Sequence, residues 1–369
     1  MKNDTQVRIF VGTGGVGKTT LAAAYAYFRA QEGYKTLVVT IDPAQRLKTA
    51  LGLLPHGHNQ KVLPHPSGGW GDDGIWGEMW ASLLDSKWVF DDFVRRGLKD
   101  EEKILRLFKN RLYQQLSTQL NGSQEFTSLE KLLYEYESGM WDFIVLDTPP
   151  AGHAIDFLKA PQKLNRLLDE RVARWFRLME DGGSWVTNIF TFGARRILQI
   201  LEFLTGNEFI HELSDFFGQL HFWQKKLEKR LNEVDQLLRS SLCKFTLVTQ
   251  YDLPKLREGM AFLDILKAEQ MNCEGIVINR AYLESDFNLQ ETDRSDLKAW
   301  FDQLVTYYDR RAKEGRSLIR RLNPSLPIFE VPDKIYTFLG GEESVTKGQK
   351  RSEISLIVEI ARYLRTPAS

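Results

Sequence analysis

The sequence predicts an α/β protein with a mostly parallel central sheet and an α-helical subdomain inserted between its strands. Three observations carry that expectation. A Gly-rich stretch, Gly12-Thr13-Gly14-Gly15-Val16-Gly17-Lys18-Thr19-Thr20, joins the apolar run Val7 to Val11 to an Ala-rich segment that begins at Leu21. Short, near-continuous apolar runs recur along the chain, as expected for strands buried on both faces of a parallel sheet. Between two of these runs lies a long aromatic stretch with helical spacing.

The Gly-rich stretch satisfies G-x-x-x-x-G-K-[ST] with a strand before it and a helix after it, the context that this pattern needs. The fold class therefore sharpens to a P-loop NTPase. Glycines let the backbone curl around a phosphate chain with its N–H groups inward, and a helix starting near Gly17 adds partial positive charge beneath the anion. Gly14, Gly15, Val16, Gly17, Lys18, Thr19 and Thr20 become the candidate nucleotide contacts. Lys18 reaches the β- and γ-phosphates in this pattern, and the Thr19 hydroxyl ligates Mg²⁺.

From Gly17 to Glu32, Leu21, Ala24, Tyr25 and Phe28 keep the spacing of one helix face, and Gly33 is a natural stop. The apolar run Lys35 to Asp42 follows as a second strand, completing a right-handed βαβ unit. Residues 52 to 78, rich in Gly, Pro, His and Trp, read as a long loop. His56, His58 and His65 lie there without Cys or ordered carboxylate partners, so they read as loop residues rather than metal ligands. Helices are expected at about 101–118, with Leu105, Phe108, Leu112 and Leu116 on one stripe, and at about 125–137.

Asp142 to Asp147 is the third clear strand, and Thr148-Pro-Pro-Ala-Gly-His153 follows it. A strand that delivers a carboxylate beside a phosphate loop suits a second Mg²⁺-binding element, and the Pro-Pro-Ala-Gly turn suits a switch. Residues 161–240 then carry Trp175, Phe176, Trp185, Phe190, Phe216, Phe217 and Trp223 among other rings. Leu213, Phe217, Leu220, Leu227, Leu231, Val234 and Leu238 continue a stripe close to a seven-residue repeat. Such a region is either a closed helical core or an apolar surface for an amphipathic or membrane-derived segment. Strands at 244–249, 275–279 and 327–331 resume the α/β pattern, with helices near Pro254 and at 293–311. A last amphipathic helix carries Ile354, Ile357, Ala361 and Leu364. The expected organisation is an ATPase-type core at 1–165 and 241–369, a helical subdomain at 166–240, and additional helices at 85–137 alongside it.

Composition excludes several classes. Lys+Arg and Asp+Glu both number 49, so no global field draws the chain to nucleic acid or an anionic membrane. Two cysteines thirty positions apart argue against a disulfide framework or a Cys-based zinc site and fit a cytoplasmic setting. Met1 to Gln6 is a polar stub, and no stretch approaches about eighteen consecutive apolar residues, so neither a leader nor an integral membrane segment is expected.

The phosphate loop, Asp42-Pro-Ala, and Asp147-Thr-Pro-Pro-Ala-Gly-His153 together resemble the ArsA family of ATPases, which includes the arsenite-pump ATPase and the guided-entry ATPase for tail-anchored membrane proteins. Arg111-Leu-Tyr-Gln-Gln-Leu-Ser, Gly122-Ser-Gln-Glu-Phe and His153 to Pro161 are similar to a bacterial ArsA-like branch. The likeness covers most of the chain and is strongest in the first 165 residues. It implies ATP and ADP as ligands with Mg²⁺, and a homodimer. It further implies Asp42 as the residue that orients the attacking water, Asp147 as the carboxylate of the Mg²⁺ shell, and Gly152 with His153 as the second switch. Asn279 falls at the family's adenine-reading position, and an Asn amide has the donor and acceptor to pair with adenine.

Three departures from the family pattern matter. Thr13 stands where most members carry a second lysine that reaches a partner subunit's phosphates, so another cation such as Arg46 must substitute or the dimer is altered. The cysteines that bind metalloid or zinc in relatives have no counterpart, which speaks against arsenite. The Met-rich client groove of the targeting relatives is replaced by rings and branched chains, since residues 151–240 hold only Met179. The leading expectation is a Mg²⁺-dependent ATPase whose nucleotide state controls a helical subdomain that handles a hydrophobic or membrane-protein client. The alternatives are a low-turnover nucleotide-gated switch and the ATPase subunit of an anion transporter.

Overall fold

β1 (Gln6–Gly12) runs through the middle of an eight-stranded sheet because both of its faces are apolar, with Val7, Ile9, Phe10 and Val11 all buried. The computed structural model describes residues 4–41, 48, 51, 53, 59–62, 77–97, 100–110, 113–114, 121–149, 158–161, 226–281, 295–332, 360 and 363–364. The other strands are β2 (Lys35–Thr40), β3 (Gln60–Lys61), β4 (Glu78–Leu83), β5 (Phe143–Asp147), β6 (Cys243–Thr249), β7 (Cys273–Ala281) and β8 (Ile328–Pro332). Their spatial order is β3-β4-β2-β5-β1-β6-β7-β8. Every neighbouring pair is parallel except β3 with β4. The mostly parallel sheet is therefore as expected. β3 and β4 are additions, for the reading of 52–78 as loop gave no strand there.

The helices are α1 (Lys18–Gln31), α2 (Ser86–Gly97), α3 (Glu101–Lys109), α4 (Asn121–Ser138), α5 (226–239), α6 (Leu253–Ala268) and α7 (Ser295–Leu322). α1 departs from the one-faced helix read from its sequence. Ala22, Ala23, Ala26 and Tyr27 are buried as fully as Leu21 and Ala24, so the helix is enclosed all round, which its run of small alanines permits. α6 opens as a capped helix should: Asp252 accepts the Lys255 N–H, and Pro254 sits in the first turn.

Two expectations are corrected. The helix drawn over 101–118 stops at Lys109, because Asn110 turns its side chain onto the Tyr113 N–H at 3.2 Å and starts a new turn. Its stripe is also displaced, with Ile104 and Leu107 buried while Leu105 is 56% exposed. The helix at 293–311 extends to Leu322, passing through Gly315, where an added Cβ would lie 2.4 Å from the Tyr251 ring.

The chain divides into two units, residues 1–83, 134–155 and 237–369 in the first and 84–133 and 156–236 in the second. The first holds the sheet. In the second, Phe93, Val94, Ile104, Leu107, Tyr113, Phe126, Leu227 and Leu231 form a core. Beside it Glu130 is 1% exposed and takes a two-pronged contact from Arg230 at 2.9 and 3.0 Å and a third bond from Arg96 at 3.0 Å. Of the long stripe expected over 213–238, Leu227, Leu231, Val234 and Leu238 are buried, while Leu213, Phe217, Leu220 and most of the aromatic residues lie outside the described residues.

Two measurements follow. Glu130→Ala takes from buried Arg230 its two-pronged partner, leaving Glu233 at 3.5 Å, and is expected to cost about 3 kcal/mol in a denaturation experiment; a change within about 1 kcal/mol contradicts the importance given to this cluster. Cys243 is fully buried and Cys273 half-buried, and burial raises both thiols, Cys273 to about 11. A raised folded pKa means that this contribution to stability is complete below about pH 9 and is lost as pH rises towards 11. At pH 8 both thiols should resist alkylation in the folded protein and react promptly in denaturant, as counted by mass spectrometry.

Candidate nucleotide-binding site

Three strand ends meet the same edge of the sheet. β1 leads directly into the Gly-rich loop, and its approach to β6 is set by Gly12, whose φ is 154° and whose added Cβ would lie 2.1 Å from the Val248 carbonyl oxygen. No other residue fits there. The loop ends at Gly17, left-handed at φ 89°, which caps α1 without any side-chain hydrogen bond. No capping side chain at Gly17 competes with an anion for the first turn of α1, which has the helix dipole behind it.

Within the loop Gly14 and Gly15 are exposed, Val16 is fully buried as its anchor, and Thr19 and Thr20 are half-buried. Lys18 is 7% exposed and donates from Nζ to the carbonyls of Gly12 at 3.1 Å and Thr13 at 3.0 Å, so the ammonium lies over the loop's own backbone. Thr13 is 2% exposed, and its Oγ1 is buried without a hydrogen-bond partner among the described residues. The side chain that replaces the family's second lysine is thus neutral and folded inward.

Asp147 closes β5, fully buried, opposite Phe10 of β1 on one side and Thr40 of β2 on the other. Its Oδ2 accepts from the Thr40 hydroxyl at 2.9 Å, and its carbonyl accepts the Ile41 N–H at 3.1 Å. Next to it the Thr148 hydroxyl donates to the Phe10 carbonyl at 2.7 Å. Neither Thr40 nor Thr148 was singled out from the sequence; a Thr at the end of an apolar strand looks like any β-former. The donor set suits Mg²⁺, a hard cation that takes one or two protein oxygens and fills its shell with water and phosphate. No cluster of three acidic, His or Cys side chains exists among the described residues, and such a cation needs none.

Asn279 comes from β7. It is 8% exposed, and its Nδ2 donates to the Val16 carbonyl at 2.7 Å. The structure thus brings the loop, Lys18, Asp147 and Asn279 to one sheet edge. Asp42, Arg46, His56, His58, His65, Gly152 and His153 lie outside the described residues.

The family model of the anion-transporting ATPases matches residues 5–314. The chain belongs to that family. Membership places it among ATP hydrolases. It is 23% identical over 354 residues to an Aquifex aeolicus protein named for an arsenical pump-driving ATPase, covering 90% of this chain and 81% of that one. It is 26% identical over 281 residues to the ATPase get3 of Aspergillus terreus, covering 75% and 74%. A Halobacterium salinarum protein, also named for an arsenical pump-driving ATPase, is 30% identical over 168 residues, 45% of this chain and 25% of that one.

At β8 this ATPase gathers a half-buried arginine, a buried carboxylate and a buried phenol. Glu330 of β8 accepts from Arg316 of α7 at 2.5 and 2.6 Å and from the Tyr251 hydroxyl. Burial and the neighbouring Glu330 carboxylate hold the Tyr251 phenol protonated, and its hydrogen bonds to Glu330 raise the Arg316 guanidinium further.

Gly12→Ala tests the loop's foundation. Because the added Cβ meets backbone rather than a movable side chain, the ATPase should lose at least about 2 kcal/mol of stability, read from its denaturation midpoint. A variant as stable as the parent contradicts the close approach of β1 and β6.

Proposed function

We propose that this ATPase is Mg²⁺-dependent, dimeric and cytoplasmic, and that its nucleotide state governs a helical region that handles a hydrophobic or membrane-protein client. The observation that supports it best is the convergence, on one sheet edge, of a phosphate loop carrying a buried Lys18 and a buried Asp147 held by Thr40. Bound MgATP supplies the γ-phosphoryl group that water attacks. Lys18 and the Gly14–Thr20 backbone bind the phosphates, Thr19 and Asp147 hold the cation's shell, Asp42 orients the water, and Gly152 senses the γ-phosphate. Such chemistry needs positioning and charge more than covalent help. The client reading rests on the family resemblance and on the aromatic sequence between 166 and 240. No helix among the described residues is long and apolar enough to cross a membrane.

One observation favours a second reading. A cross-subunit cation speeds phosphoryl transfer in P-loop enzymes, and the inward, neutral Thr13 supplies none. A low-turnover, nucleotide-gated switch fits that loss.

Lys18→Ala should weaken ATP binding by roughly 10²-fold, as expected when a charge-assisted contact is removed. Asp42→Asn should bind ATP within about 3-fold of the parent yet lose at least about 10²-fold in turnover. Parent-like turnover in the Asp42 variant removes the role given to that residue. Steady-state hydrolysis with and without an apolar helical peptide separates the two readings: stimulation supports client handling, and tight binding with negligible turnover supports the switch.

A further inference from the structure

The hydrogen bond from Asn279 to Val16 joins residues 263 positions apart and links the end of β7 to the middle of the phosphate loop. Its direction is fixed by chemistry, since a carbonyl only accepts and the amide nitrogen must face it. At the next residue the contact tightens. An added Cβ on Gly17 would lie 2.3 Å from the same Nδ2, so the left-handed turn at φ 89° is moulded against the Asn279 amide.

β7 is also shaped to present that amide. The β7–β8 register slips between Asn279 and Ala281, and Arg280 between them takes φ 55° although it is not glycine. A bulge re-aims the neighbouring side chain, and a left-handed residue costs free energy that the surroundings must offset. Arg280 is itself exposed, so its own side chain gains little from the arrangement. What the distortion secures is the direction of Asn279.

We propose that Asn279 is a positioning residue for the phosphate loop, holding the Val16–Gly17 turn open from β7 so that phosphate affinity itself depends on this amide. The inference rests on the reading of Gly12–Thr20 as a phosphate site and goes beyond a base-reading role. With one N–H given to Val16, one N–H and Oδ1 remain for any base contact, and loop shape and base choice share a single amide plane.

Titration calorimetry with Mg²⁺ and three probes, ATP, GTP and inorganic tripolyphosphate, separates the roles. Asn279→Ala should weaken tripolyphosphate about 3–10-fold, the loss of one net hydrogen bond, and ATP by at least that factor. Asn279→Asp, equal in size but without the donor, should weaken tripolyphosphate at least as much. Gly17→Ala should cost less affinity in the Asn279→Ala background than in the parent, because the atom its Cβ meets is gone; a purely structural role at β7 predicts simple additivity. Asn279→Ser replaces the alanine variant if that protein fails to fold. Unchanged tripolyphosphate affinity together with lost ATP-over-GTP preference overturns the proposal in favour of base reading alone. Lys18→Ala is the control for the reading beneath: tripolyphosphate binding that survives it overturns the phosphate site, whereas its loss there with intact binding in Asn279→Ala overturns only the role of Asn279.

Discussion

The site depends on how closely β1 can pass β6. At Gly12 the β6 backbone stands where a side chain would be, with a carbonyl oxygen 2.1 Å from the ideal Cβ position. That approach lets the chain leave the sheet centre as a tight loop and enter α1 through Gly17 without a side-chain cap. Everything else at the edge is arranged around the polar backbone thus presented. Lys18 covers the Gly12 and Thr13 carbonyls and Asn279 takes that of Val16, so three of the loop's acceptors are engaged within the protein.

Buried polar groups give the surroundings their rigidity. Arg8, inside β1, lies 2.9 Å from Glu274 of β7 and 5.7 Å from the centre of the Phe143 ring, linking three strands through one side chain. Thr5 ties the start of β1 to the Trp141 carbonyl, and Trp141 in turn donates to Glu135. Such groups are costly to bury and are kept only where every partner is in place, which makes them specific about register. A one-residue slip of β1 would separate Arg8 from Glu274 and Gly12 from Val248 together.

Much of this was legible in advance because it is local. The motif from Gly12 to Thr20, the apolar strand runs, the Asp at the end of β5 and the Pro-initiated α6 all depend on near neighbours in sequence. What escaped was set by distant ones. β3 lies within, and β4 at the end of, a tract rich in Gly, Pro and His, where composition favours a loop but β2 supplies backbone partners to β4 and β4 supplies them to β3. Leu105 and Leu107 cannot be ranked by hydrophobicity, and only packing against Phe93 and Phe126 decides which of them is buried. Thr40 and Thr148 became site residues because strand order β2-β5-β1 puts their hydroxyls beside Asp147 and Phe10.

The sequence by itself determined the class of chemistry, since a glycine loop ending in Lys-Thr has few uses other than holding phosphate, and the family follows from the same residues. The tertiary structure alone decided how that loop is supported. Asn279 read in isolation is a strand-end cap, and the family resemblance makes it a base reader; the fold brings its nitrogen to the Val16 carbonyl, 263 residues away in the chain. Thr13 read against the family resemblance is a missing charge; the fold turns it inward among buried atoms. The physical reason is the same for both. A motif fixes backbone conformation through neighbours in sequence, whereas the partners of its polar groups are fixed by which strands lie side by side.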